Sequence, residues 1–301
     1  MSDSSSKRNG LLAIAIVLLL LLGGGAWFVM NRARPNRAPV QPARAEPPIK
    51  VGVILSQRTA EHWQWKLVNK VMNEGLLNDP SFEAYAIVEP GTAQQGEIPG
   101  LCHKYFAGRA AIDCTDAARL RELDVIVAPY VSTLAPEMAD AVEKLVRDQG
   151  KGLMIRAWLG VMSPGCTSRV LALNGLTEGQ WGWNGRDVEC EIISPHPILG
   201  DLAPGTRLLL EPNGAYGVMV EGGERLVVVT NMSNVGPATG GPFVTDRADF
   251  VHAPLYVSTF GKGRIVGCMF HGHKNDDVAT SRFVHAVMPR AIRWLAGRAV
   301  K

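Results

Sequence analysis

The densest polar cluster of the 301-residue chain is Phe270-His271-Gly272-His273-Lys274-Asn275-Asp276-Asp277. Its two histidines stand two apart, so in a strand they share a face and could hold a metal together. A third ligand is not evident, and the pair reads as hydrogen-bonding histidines at the end of a sheet; neither a metal nor a cofactor is expected. Imidazoles exchange protons near neutral pH, which makes His62 and His273 the acid/base candidates. Arg156 cannot act as a base at ordinary pH, but its planar fork can anchor a carboxylate or sugar oxygens. Trp158, Tyr130 and His271 are the remaining candidate substrate contacts. Each has a plainer reading: an aromatic at a strand end is often packing, and an arginine often pairs with a nearby carboxylate. No two carboxylates stand at glycosidase-like positions.

These residues follow stretches that read as strands. Residues 49–55 form a short β-branched run, 59–77 show a helical pattern, and 82–88 read as a second strand. After a long glycine-containing loop come a short helix at 116–122, a buried strand at 124–128, an amphipathic helix at 136–147 ending at Gly150, and a strand at 152–156. Such alternation implies a parallel sheet with helices on both faces, because parallel neighbours need crossover connections. In open α/β sheets ligands collect beyond the carboxyl ends of the strands. His62 follows the first strand, Tyr130 the third, Arg156 and Trp158 the fourth, and His271 and His273 the last. Beyond Trp158 the chain becomes β-rich, with strand-like stretches at 188–193, 207–210, 216–220, 225–230, 255–260 and 264–270, and it closes with a helix over 279–295. No internal repeat is evident.

Residues 11–30 run twenty positions without a charge, long enough as a helix to cross a bilayer core of about 30 Å. The stretch predicts a single transmembrane helix behind a ten-residue tail. The alternative is a cleaved signal peptide, with Lys7 and Arg8 before the apolar run and small residues at Gly24 and Ala26. Residues 31–48 contain five prolines and predict an extended linker; the α/β domain then fills 49–301. The net charge of +3 is concentrated at the start. Six basic and two acidic residues give residues 1–48 a charge of +4, leaving about −1 for the domain. That gives no basic footprint for nucleic acid. Four arginines after the span favour a cytoplasmic domain. Cysteine placement points outward instead: Cys166 with Cys190, and secondarily Cys102 with Cys114, could close in an oxidising compartment. The domain is therefore expected outside the cytoplasm, and Cys268 is expected to be a small buried hydrophobe.

The order of several motifs resembles the trehalose-utilisation ThuA-like family, whose fold is similar to that of class I glutamine amidotransferases. Pro254-Leu255-Tyr256, then Gly261-Lys262-Gly263-Arg264, then Gly272-His273, then Trp294-Leu295-Ala296-Gly297-Arg298 are similar to the end of that pattern. His196-Pro197-Ile198 with Gly200-Asp201-Leu202, and Glu61-His62-Trp63, resemble earlier elements. The resemblance spans about residues 49–299 and implies a flavodoxin-like, class I glutamine amidotransferase-like parallel sheet. Glutamine hydrolysis needs a thiolate on a sharp strand-to-helix turn. The matching segment, Ile155-Arg156-Ala157-Trp158-Leu159-Gly160, places Trp158 where the cysteine should be, so no glutaminase activity is expected. Arg156 also departs from the histidine usual in the family. Two functions follow as expectations. One is a pocket that binds or processes a carbohydrate or similar polar metabolite; the other is a catalytically silent module of the cell envelope.

Overall fold

In a computed structural model, the aliphatic runs become the strands of one ten-stranded sheet. The structure describes residues 46–55, 76, 78–92, 111–129, 134–156, 168–181, 183–184, 188–210, 215–230, 235–236, 251–270 and 278–300. The chain divides into two compact units, residues 1–47 and 48–301; the sheet belongs to the second. No helix among the described residues is long and apolar enough to cross a membrane, and the 11–30 stretch lies outside them.

The first half of the sheet is parallel. Strands β1 (Ile49–Ile54), β2 (Phe82–Val88), β3 (Ala111–Asp113), β4 (Val125–Ala128) and β5 (Gly152–Arg156) are joined by crossovers. β1 pairs with β2 on one side and β4 on the other, so the strand order reverses between β1 and β4. β4 and β5 are buried at every position, as strands covered on both faces must be, and their sequences VIVA and GLMIR run continuously rather than alternating. Helix α1 (Ala117–Leu120) is capped by Asp116, whose carboxylate accepts from the Arg119 N–H. Helix α2 (Pro136–Glu143) starts with proline at its first position and passes into a π-helical turn at Lys144–Asp148. Gly150 then takes φ of 74°, the left-handed conformation that ends helices at glycine.

The second half is antiparallel. Helix α3 (Ser168–Leu173) leads into β6 (Leu176–Trp181), which pairs with β10 (Ala215–Met219) in a small separate sheet. A second small sheet joins β7 (Trp183–Asn184) to β12 (Val235–Gly236). In the main sheet β8 (Val188–Ile192), β9 (Arg207–Leu210), β11 (Glu224–Val229), β13 (Leu255–Phe260) and β14 (Gly263–Cys268) complete the order β3-β2-β1-β4-β5-β14-β13-β11-β8-β9. β14 is the seam, parallel to β5 and antiparallel to β13. β8 shows the alternating burial of a strand with one wet face, with Glu189 and Glu191 between Val188, Cys190 and Ile192.

Helix α4 (Val278–Leu295) returns along the sheet. A side-chain carbon on Gly152 would strike Leu295 of this helix, and one on Gly263 would strike Val146 of the π-turn. Gly152 and Gly263 point to opposite faces by the β5–β14 register. Helix α4 and the end of α2 therefore cover opposite faces. The result is a mixed α/β sheet with mostly parallel strands.

Expectation and structure differ in two places. β3 lies in the stretch read as loop, because Ala-Ile-Asp is too short to carry a period. α3 and β6 lie where the sequence reads as irregular. The helix expected at 59–77 falls outside the described residues over nearly all its length.

Candidate functional site

The carboxyl ends of the parallel strands bring Arg156 into view. It ends β5 in register with Cys268 at the end of β14, and both side chains lie on the face covered by α4. Arg156 is completely buried, the largest side chain so enclosed among the described residues. Its Nη1 donates to the Cys268 carbonyl oxygen at 3.3 Å and approaches Cys268 Sγ at 3.4 Å. Two residues on, Phe270 packs edge-on against Phe283 of α4 with ring centroids 5.1 Å apart. A guanidinium stays ionised at any ordinary pH. Keeping one out of water is expensive unless donors are satisfied and an opposing charge or dipole is supplied. Arg156 thus places a fixed, oriented positive group at the edge where α/β sheets take ligands.

Arg156 is the one expected site residue within the described part of the chain. His62, Tyr130, Trp158, His271 and His273 lie outside it. By sequence they follow the ends of β1, β4, β5 and β14, the strands on either side of the order reversal and at the seam. Among the described residues no group of three or more His, Cys, Asp or Glu is arranged to hold a metal ion.

Further along the same edge, Asp113 was not anticipated by the sequence reading. Its carboxylate accepts from the Gly91 N–H at 2.7 Å, the Thr115 N–H at 2.8 Å and the Thr115 hydroxyl at 2.7 Å. Burial pushes its pKa up, but these donors outweigh that and hold it below the usual carboxylate range. It ties the turn after β2 to the turn after β3, a positioning role visible only once those turns are adjacent.

The cysteine expectation is corrected. Cys114 and Cys190 are free and buried, and their expected partners, Cys166 and Cys102, lie outside the described residues. Cys190 stands in the middle of β8, facing the core. Burial foremost raises its thiol to about 12, with the Glu189 charge adding to the effect. The described residues between 166 and 190 are not one irregular excursion but include α3 and β6. Cys268 is fully buried, as expected of a small hydrophobe.

Three of the motif pieces meet at the opposite edge of the sheet. His196 precedes the 3-10 turn Pro197–Leu199 and accepts the Ile198 N–H on Nδ1 at 3.3 Å. Its ring meets Trp294 edge-on at 5.0 Å, and the Arg264 guanidinium lies 5.1 Å from the Trp294 ring centroid. Arg264 also donates to the Trp294 carbonyl at 2.8 Å. Arg264 stands near the amino end of β14, so this stack fastens the close of α4 to the sheet edge remote from Arg156. Those motifs encode packing.

No family model matches the chain, and no curated protein does. Solved structures do. A protein described as ThuA-like from Parabacteroides merdae superposes with a TM-score of 0.54 at 14% identity, over 84% of this chain and 92% of that one. Another, from Bacteroides uniformis, gives 0.45 at 14% over 85% and 95%. A glutamine amidotransferase from Thermotoga maritima gives 0.39 at 11% over 84% and 90%. The first of these carries the comparison, and at its identity it speaks to architecture alone: the chain has the mixed α/β fold of ThuA-like proteins, the one implied by its motif order, with glutamine amidotransferases among its structural neighbours.

Proposed function

We propose that the domain binds, and by acid/base chemistry processes, a carbohydrate or similar polar metabolite at the carboxyl edge of the parallel sheet, without glutaminase activity. The observation that carries this reading is Arg156, buried and oriented at the end of β5 beside the end of β14. Its guanidinium anchors ligand oxygens, while His62 and His273 exchange protons; Tyr130, Trp158 and His271 supply the remaining contacts. The chain's own segment at the amidotransferase elbow, with Trp158 in place of a cysteine, supports the absence of a thiol nucleophile. The stretch 11–30 anchors the chain in a membrane by one span.

The test uses the full chain in detergent micelles. A panel of sugars and polar metabolites is screened by thermal shift, and hits are repeated with Arg156→Met. At least one ligand raises the melting temperature of the parent, and the variant loses the response. A panel with no hits, or a variant that keeps the response, removes the reading and leaves the catalytically silent module in its place. For the anchor, alkaline carbonate washing of membranes from cells expressing the chain leaves it in the pellet; release into the supernatant refutes the span.

A further inference from the structure

On the sheet face opposite the Arg156 side chain, a cavity of about 260 Å³ opens between α1 and α2. Its apolar floor includes Leu120 and Leu145, 2% and 3% exposed, and the free thiol of Cys114. Its rim is charged and polarised along the helix. Glu137, in the first turn of α2, stands at the end shared with Cys114: burial is the main cause that raises that thiol to about 11, and the carboxylates of Asp113, Glu137 and Glu89 add to it. Lys144, where the π-turn begins, stands seven residues later, about 10 Å along the helix axis. The side chains of Glu137 and Lys144 form no hydrogen bond or ion pair with any described residue. Asp140 between them differs, because Arg169 holds it at 2.5 Å.

We propose that this cavity binds a short peptide of two or three residues with apolar side chains, its ammonium at Glu137 and its carboxylate at Lys144. The spacing selects the length. A single amino acid carries its two charges on one carbon, whereas an extended chain advances about 3.3–3.6 Å per residue, so two or three residues bring the termini towards both rim charges. The volume lies just below the usual range for ligand pockets, about 300–1,000 Å³, which limits the occupant to that size. Apolar side chains cover the leucine floor, where a polar one would lose its water.

Isothermal titration of the full chain in detergent with leucyl-leucine tests the inference, alongside its N-acetyl and C-terminal amide forms. The free dipeptide binds at least tenfold more tightly than either blocked form. Glu137→Gln abolishes the discrimination against the acetyl form, and Lys144→Met that against the amide. Bound dipeptide slows methanethiosulfonate labelling of Cys114, located by peptide mass mapping. Ala141→Trp, which fills the cavity, removes binding; should that variant fail to fold, the two rim variants still decide. No heat of binding, equal affinity of blocked and free forms, or unchanged Cys114 labelling overturns the proposal.

Discussion

The two halves of the main sheet bury their residues by different rules. In the parallel half, β4 and β5 are enclosed at every position; in the antiparallel half, β8 alternates and β9 leaves Leu209 60% exposed. Parallel strands lie under crossover helices on both faces, whereas antiparallel strands can leave one face to water. A charge therefore means different things in the two halves. Arg207 bridges Glu189 at 3.1 Å and Glu191 at 3.2 Å on the wet face of β9 and β8, where exposed ion pairs contribute little. Arg156 sits in a strand with no wet face, where its Nη1 donates to the Cys268 carbonyl oxygen instead of meeting water. The contrast sets one enclosed arginine apart from the exposed charges among the described residues of the sheet.

The contrast can be broken most severely by truncating both halves. Ile126→Ala, in the enclosed β4, is expected to cost about 3–4 kcal/mol through lost contacts and an unfilled cavity. Leu209→Ala on β9 is expected to change stability by less than about 0.5 kcal/mol. Urea unfolding of the two variants measures the difference, and comparable losses would show that the outer strand is covered.

His252 sharpens the rule from inside the antiparallel half, where it is a buried polar exception. Its backbone carbonyl accepts the Val229 N–H at 3.1 Å, and burial holds its imidazole down at about 3, against about 6.5 in an unfolded chain. The unfolded state takes up the proton first. Stability is therefore whole above about pH 6.5 and falls as pH drops towards 3, by at most about 1.4 kcal/mol per pH unit. Between pH 7 and pH 5 the loss is about 2 kcal/mol. His252→Gln is expected to flatten that dependence in paired urea titrations; an unchanged slope assigns the acid sensitivity to other groups.

A smaller effect lies at the seam. The Tyr256 hydroxyl donates to the Asn174 carbonyl at 2.8 Å, and its ring lies where a side chain on Gly267 would be. Tyr256→Phe keeps the ring and loses the donor, leaving a carbonyl acceptor short of a partner for about 1 kcal/mol. The shift in thermal midpoint reads it. Smallest of all, Arg207→Ala should alter stability by less than about 0.5 kcal/mol, and raising salt should erase even that; a larger, salt-resistant loss would make the wet face part of an interface.

Much of this was legible in the residues themselves. Val125–Ala128 and Gly152–Arg156 announce enclosed strands because an aliphatic run that short, ended by a turn, has few other ways to bury itself. The motif order implied the fold. What escaped were elements whose signal is shorter than a period, such as Ala111–Asp113, and those whose identity depends on a distant neighbour, such as β6, which is a strand because β10 pairs with it. The loop-closing role expected of Cys190 failed because the residue is a free, buried thiol set between β9 and β11.

For the site, sequence determined which residue types follow each strand, and therefore that Arg156 ends β5. It could not determine that Arg156 would be wholly buried against Cys268, 112 positions away, because strand neighbours in a crossover sheet are set by packing of the intervening helices. Nor could it separate motif from function. His196, Arg264 and Trp294 are as conspicuous in the sequence as the histidine cluster, yet they stack at the edge of the sheet remote from Arg156. Local residue order determines what a segment can form; which edge of the sheet it serves depends on contacts between segments that only the folded chain brings together.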